Sequence, residues 1–345
     1  MVIDHNSTFS EWSEKWKLRN LINLAYGRRI TIESQIAHLN EFIGEIPISK
    51  IKLMDIDEFV ISRANINPNT GKPMFKSYMK EICRIGKSIF DYAIHNCDTP
   101  FLNPAEEVKI PKNAPEKKVR ALTEAEQKWV YDMPHRLRCG CLLMMFCGLR
   151  RGELMALSWN DIDFKKKTVT ISKNAAKTAP NKFAIKYTTK NGKTRVVPIP
   201  DLIVPELMDY YNRRTSNLVT HKINGSLHSP SSWKRLWQSY VGNLNRMYGI
   251  KSIRSKYDPK GSVIAIDNIN PHMLRHTYAT MLYNAGVDVL TASKLLGHSD
   301  IQTTLKIYTE LREKTMLQSI DKFDDYIGDT FGNLSANIED ISESA

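Results

Sequence analysis

The chain has 345 residues, 42% apolar and 25% charged, with a formal net charge of +12. That length allows two ordinary domains with hydrophobic cores, and the composition is that of a water-soluble globular protein. No apolar run reaches membrane-spanning length, Met1–Asn6 lacks the features of a secretory signal, and five cysteines without framework spacing read as reduced thiols, so a cytoplasmic protein with no membrane partner is expected.

From Phe9 to about Asn103 the pattern is helical. Phe9, Trp12, Trp16, Leu21 and Leu24 recur at near-helical spacing, as do Ile82, Ile85, Ile89, Tyr92 and Ala93. Turn residues between Asn65 and Pro73 interrupt it. A lysine-bearing stretch punctuated by Pro104, Pro111 and Pro115 then reads as an extended basic linker ending near Arg120. A second domain opens at Thr123, which with Glu126 makes the pattern of a capping box. An apolar helix follows and stops at Cys147-Gly148. Three strand-like stretches come next, Thr168–Ser172, Phe183–Thr189 and Thr194–Ile199, and the last two are expected to pair as a hairpin across Asn191-Gly192. Beyond Pro205 the pattern is helical again, and beyond about Gly328 it is small, polar and acidic, as in disordered tails. The expected class is therefore mainly α with a small antiparallel β-sheet. The expected division is a helical domain over 1–110, a basic linker over 111–122, an α+β domain over 123–328 and an acidic tail over 329–345.

The charge is unevenly spread. From Glu310 to the end there are nine acidic and three basic residues, whereas Lys165 to Arg195 holds ten Lys or Arg and no acid. A stretch of one sign points to an anionic partner, nucleic acid being the usual one, although a lysine-rich solvated face would look the same. Lys165, Lys166, Lys167, Lys173, Lys193 and Arg195, with Lys117 and Lys118 of the linker, are the candidate DNA contacts.

Four segments of the second domain offer catalytic or phosphate-binding groups. In Gly148-Leu-Arg150-Arg-Gly-Glu153, Arg150 sits between a helix stop and a new helix start, where guanidinium and helix N-terminus share an anion well. Glu153, one turn on, suits fixing that arginine or the helix start; an arginine beside a glycine is ordinarily only a surface cap. Asn270-Pro271 opens a helix whose first turn carries both His272 and Arg275 on one face. Cations at a helix N-terminus are unfavourable without an anion, so this pair points to phosphate more than a lone histidine does. Leu296-Gly297-His298-Ser-Asp300 is another glycine stop, followed by a helix that carries Tyr308. Lys190 stands immediately before the Asn-Gly turn, with Lys193 and Arg195 as neighbours and competitors for any role. Cys139, Cys141, Cys147 and His135 fall within one apolar helix and read as buried groups rather than metal ligands.

Arg150, Lys190, His272-x-x-Arg275, His298 and Tyr308 stand in the order of the tyrosine recombinase (phage integrase) family, which the chain resembles strongly over about 120–328 and loosely over 9–110. The resemblance implies a site-specific recombinase that cleaves and rejoins DNA through a 3′-phosphotyrosine on Tyr308, for integration or excision of a phage or mobile element. It implies that Arg150 and Arg275 clamp the phosphate, Lys190 protonates the leaving oxygen, His272 assists proton removal, His298 hydrogen-bonds the phosphate, and Glu153 organises the site. It also implies no cofactor and no metal, double-stranded attachment sites as substrate, a homotetramer on synapsed DNA, and room for a directionality or DNA-bending factor. With helix starting near Phe9, no further arm-site-binding domain is expected. The competing classes are a type IB topoisomerase, which uses similar chemistry, and a non-catalytic DNA-binding regulator, which has no use for Tyr308.

Overall fold

The computed structural model of the chain describes residues 6–65, 71–97, 101–116, 119–189, 192–252, 262–313 and 327. The chain divides into two units, Met1–Val119 with Lys177–Pro180, and Arg120–Ala176 with Asn181–Ala345.

The first unit is helical: α1 (Phe9–Asn20), α2 (Tyr26–Ile43), α3 (Leu53–Asn65) and α4 (Lys76–Asn96). Helix α1 starts where it does because Thr8 accepts from the Glu11 amide while the Glu11 carboxylate accepts from the Thr8 amide. Its Phe9, Trp12 and Trp16 are buried with Ile36, Leu39 and Ile43 of α2 and Met79, Ile82, Ile85 and Ile89 of α4, so spacings of three and four become one apolar face per helix. Leu21 joins this core, whereas Leu24 is exposed. The turn expected at 65–73 falls partly on 66–70, outside the described residues. The Pro-punctuated stretch lies against α4. Asn103 donates to the Lys87 carbonyl and the Asp91 carboxylate, Lys76 N–H donates to the Pro115 carbonyl, and Ala105 and Ala114 are buried. Small side chains between prolines let an extended segment seat closely on a helix.

The second unit begins with α5 (Glu124–Asp132), capped by Thr123 and Glu126 as expected, then α6 (Arg138–Phe146) and α7 (Arg151–Ala156). Short strands β1 (Ile162–Asp163), β2 (Thr168–Ile171), β3 (Asn174–Ala179), β4 (Lys182–Lys186) and β5 (Arg195–Pro198) follow, the last three residues of β3 being counted with the first unit. After them come α8 (Val204–Asn212), α9 (Pro230–Tyr248), β6 (Ile250–Ser252), β7 (Ser262–Ile264), α10 (Pro271–Asn284), α11 (Val289–Leu296) and α12 (302–313). The mainly helical class with small antiparallel sheets is the one the sequence led us to expect.

The strand pairing differs from expectation. Strand β4 pairs with β3, around Pro180 and an Asn181 at φ 51°, and β5 pairs antiparallel with β2. Lys190 and Asn191 lie outside the described residues, and Gly192, at φ 72°, donates to the Thr189 carbonyl. The physical reason is burial. Val169 and Ile171 of β2 face the core on the same side as Val197 of β5, so joining these two strands buries all three side chains. Strand β3 was not expected because Asn174-Ala-Ala-Lys-Thr-Ala has a single β-branched residue, Thr178, and no aromatic one to mark a strand.

Helix α6 is the centre of the second core, with Cys139 through Met145 buried, and it packs on α10. It ends at Gly148, φ 65°, where an added Cβ would stand 2.3 Å from the Tyr278 ring, so glycine is required both by the backbone and by space. Cys139, Cys141 and Cys147 are free buried thiols, and burial pushes Cys147 up to about 12 and the other two higher. His135 lies ahead of α6 rather than within it, near Ser239. Among the described residues no helix is long and apolar enough to cross a membrane.

Candidate active site

The site is built around one buried carboxylate. Arg150, at φ −74° and ψ 152°, is the cap of α7, and its amide donates to Glu153 Oε2 at 2.9 Å. Its guanidinium reaches Glu153 Oε1 at 2.8 Å. From β5, Arg195 grips the same carboxylate with two bonds, Nη1 to Oε1 at 3.0 Å and Nη2 to Oε2 at 2.7 Å. Arg195 points inward because it is in phase with buried Val197, two residues on. Glu153 is 2% exposed. Burial alone would raise its pKa, but hydrogen bonding and charge from Arg195, then Arg150, override burial and hold the carboxyl at about 2.

The third guanidinium comes from α10. Asn270 caps that helix through the amides of His272 and Met273, and Pro271 fills the first turn. Arg275, one turn in and 3% exposed, donates to the Gly148 carbonyl at 2.6 Å and to the Leu296 carbonyl. Burial, and then repulsion from Arg150, lower its pKa to about 9, so it stays cationic at neutral pH.

The end of α11 explains why three arginines can meet. The carbonyls of Leu295, Leu296 and Gly297 accept from Arg195, Arg275 and Arg150 in turn. A helix C-terminus carries unpaired carbonyls and partial negative charge, and three successive ones each receive a cation here. Gly297 ends the helix at φ 63° and ψ 47°, and a Cβ there would lie 2.9 Å from Arg195 Nη1. Gly297→Ala is therefore expected to lower stability by about 1–2 kcal/mol from the left-handed backbone alone and to displace Arg195 from Glu153. Urea denaturation reads the first effect, and a weakened acid dependence of that stability, from the released Glu153 carboxylate, reads the second.

His298 follows that glycine, with Nδ1 2.7 Å from the hydroxyl of Thr304 on α12. Burial, then the charges of Arg275 and Arg150, push its imidazole down to about 4. Thr189, Lys193, Thr194, Arg195, Lys294 and His298 line a cleft of about 390 Å³ beside the cluster. His272 is exposed in the first turn of α10, near enough to His298 to act on its titration electrostatically.

Tyr308 lies on α12. Its hydroxyl donates to the Val287 carbonyl at 3.1 Å, and its ring meets Tyr283 edge-on with centroids 5.1 Å apart. Burial, and then the Asp288 carboxylate, push the phenol up to about 12. The structure thus brings Arg150, Glu153, Arg275 and His298 together, while Tyr308 makes its own bond to Val287. Lys190, Lys117 and Lys118 lie outside the described residues.

The basic run is more neutralised than its composition implies. Lys173 bonds Asp161 at 2.6 Å, Lys167 bonds Asp201 at 2.5 Å, and Lys166 stands 4.0 Å from Asp163. Lys165 stands beside them, its amide bonded to Asp163. Arg195, grouped by sequence with the DNA contacts, is 9% exposed and fully engaged by Glu153 and Leu295. The sequence reading missed this role of Arg195, the α11 carbonyls and Thr304. Only Arg195 left a signal, its alternation with Val197.

Residues 112–315 match the family model described as the phage integrase family. A tyrosine recombinase XerC-like protein of Caldanaerobacter subterraneus subsp. tengcongensis is 29% identical over 256 residues, 69% of this chain and 63% of that protein. The tyrosine recombinase XerA of Pyrococcus horikoshii is 31% identical over 219 residues, 62% of this chain and 63% of that one. The chain therefore spans less than two thirds of the length of these relatives. Among solved structures, a Tn1549 transposon integrase in complex with a circular intermediate DNA superposes with a TM-score of 0.72 at 19% identity, covering 88% of this chain and 95% of that one. A lambda integrase dimer bound to a core site does so with a TM-score of 0.61 at 17% identity, covering 87% and 95%. At such identities these two show a shared fold. The family match takes in more than half of the chain and includes Arg150, Glu153, Arg275, His298 and Tyr308. The chain belongs to the phage integrase family, the tyrosine recombinases.

Proposed function

We propose that this protein is a site-specific DNA recombinase that cuts and rejoins duplex DNA through a covalent phosphotyrosine on Tyr308. The observation that carries the proposal is the cluster of three guanidiniums, Arg150, Arg195 and Arg275, around the single carboxylate of Glu153, with His298 beside them. Two positive charges remain uncompensated in a partly dry site, and a guanidinium has five N–H donors, so capacity remains for the oxygens of a phosphodiester.

Tyr308 attacks the phosphorus, the bond to the 5′-oxygen breaks, and the 3′-phosphate stays on the tyrosine, which preserves the bond's energy for religation without ATP. A phenol held at about 12 keeps its proton at neutral pH, so a base must take it, and His272 has that role. Lys190 gives a proton to the departing 5′-oxygen. Arg150 and Arg275 hold the non-bridging oxygens, where charge grows in the transition state, and His298 hydrogen-bonds the same phosphate. Glu153 and Arg195 position Arg150. This positive field is what a metal ion supplies in other nucleases.

The helical unit over 1–110, the linker lysines Lys117 and Lys118, and Lys193 at the cleft grip the duplex. Two sites are paired by four protomers, a reading supported by the lambda integrase tetramer bound to a Holliday junction. The likeness to transposon and lambda integrases supports sites on a phage or other mobile element. An exchange assay tests the reading against a topoisomerase. Duplexes enriched from a random pool by binding are paired with each other or with unrelated DNA. Recombinant product only between two enriched duplexes is expected. Relaxation of a site-free supercoiled plasmid with no exchange would replace recombination with topoisomerase activity.

A further inference from the structure

We propose that Thr304 selects the tautomer of His298, donating its hydroxyl proton to Nδ1 and so leaving the ring's N–H on Nε2 as the donor to a DNA phosphate. The inference rests on the reading of His298 as a phosphate ligand and deepens it by one residue to which no role in the reaction has been given.

The geometry decides between two arrangements. Thr304 is 0% exposed, and among the described residues its hydroxyl has one hydrogen bond, to His298 Nδ1 at 2.7 Å. If Nδ1 were the donor, the hydroxyl hydrogen would be left in the protein interior with no acceptor. If the hydroxyl is the donor, that hydrogen is satisfied and only oxygen lone pairs are spare. Buried donors are seldom left unmade, so the second arrangement is favoured.

The chain is shaped to make this contact. The left-handed Gly297 turns the backbone out of α11, and the Asp300 side chain accepts from the Gln302 amide to start α12. Thr304 then stands in the first turn of α12, six residues after the histidine whose ring it meets. His298 also lines the cleft, next to Arg195 and Lys193.

The choice of tautomer matters because the ring is neutral. Burial and the surrounding guanidiniums hold His298 near 4, so at neutral pH it offers one N–H rather than two. An N–H fixed on Nδ1 would present a lone pair to an anionic phosphate and repel it. A partner that fixes the tautomer of a functional imidazole is a positioning residue with a large effect on rate and little on binding.

The test uses the whole chain with nitrogen-15 histidine, the His298 signals being assigned by their loss in His298→Gln. Long-range proton–nitrogen correlation at neutral pH is expected to show Nε2 protonated and Nδ1 bare in the wild type and in Thr304→Ser. Thr304→Val keeps the shape and removes the donor; Thr304→Ala does so with less demand on packing. Both are expected to mix or reverse the tautomer. Their strand-cleavage rate should fall roughly 10- to 100-fold with duplex affinity retained, and Thr304→Ser should recover it. Protonated Nδ1 in the wild type, or an unchanged tautomer in either donor-free variant, overturns the assignment. Absence of any DNA adduct from the wild type would sink the recombinase reading instead, and the spectra would still decide which proton Thr304 controls.

Discussion

Arg275→Lys is expected to slow covalent strand cleavage by about 10²- to 10³-fold, the loss seen when one fixed donor to developing transition-state charge is removed. Arg275 is fixed by two carbonyls, those of Gly148 and Leu296, and these point its remaining N–H groups in one direction. Lysine keeps the charge but has a single nitrogen, so it cannot hold both carbonyls and still face a phosphate. One carbonyl is then left buried without a partner, which costs about 1–3 kcal/mol of stability. Duplex affinity should change far less than rate, because affinity is spread over many phosphate contacts. Single-turnover adduct formation, filter binding and urea denaturation separate the three quantities. A normal cleavage rate in Arg275→Lys would make this arginine an anchor for α11 alone.

Glu153→Gln is expected to cost about 3–5 kcal/mol, the range for breaking a buried ion pair on one side. The shape is preserved, but Arg150, Arg195 and Arg275 would face one another without a counter-charge. The pH dependence gives an independent check. Folding lowers the Glu153 pKa from its ordinary 4.5 to about 2, a stabilisation of about 3 kcal/mol by linkage. A depressed carboxyl contributes in full above its unfolded pKa and loses that contribution as pH falls through the folded value. The stability gap between wild type and Glu153→Gln should therefore be constant near neutrality and close progressively below about pH 4.5. Urea midpoints across that range would show it. A gap that does not narrow in acid would mean that the glutamate acts by shape alone.

What the sequence disclosed depended on how local the physics was. Caps at Thr123 and Asn270 are contests between a side chain and amides two or three residues away, so their spelling can be read directly. The positions of Arg150, Glu153, Arg275 and His298 were legible for the same reason, each sitting at a helix stop or start. The strand pairing was not, because the Asn-Gly signal is local while the choice of partner is made by burial of Val169, Ile171 and Val197. The charge balance of the ten-cation run is likewise set by residues outside it. Its acids, Asp161, Asp163 and Asp201, stand just outside the run in sequence and beside its lysines in space. The carbonyls of α11 carry no sequence signature at all, since every residue has one. Thr304 looks like any helical threonine until the backbone at Gly297 turns His298 toward it.

The most direct measurement is to incubate the protein with nicked duplexes enriched by binding, in chelator, and to digest the denatured product for mass spectrometry. The expected result is a DNA-linked peptide carrying its phosphodiester on Tyr308, present in the wild type and absent from Tyr308→Phe. Folded protein that binds these duplexes yet never forms the linkage, or a linkage that survives Tyr308→Phe, would contradict the phosphotyrosine mechanism.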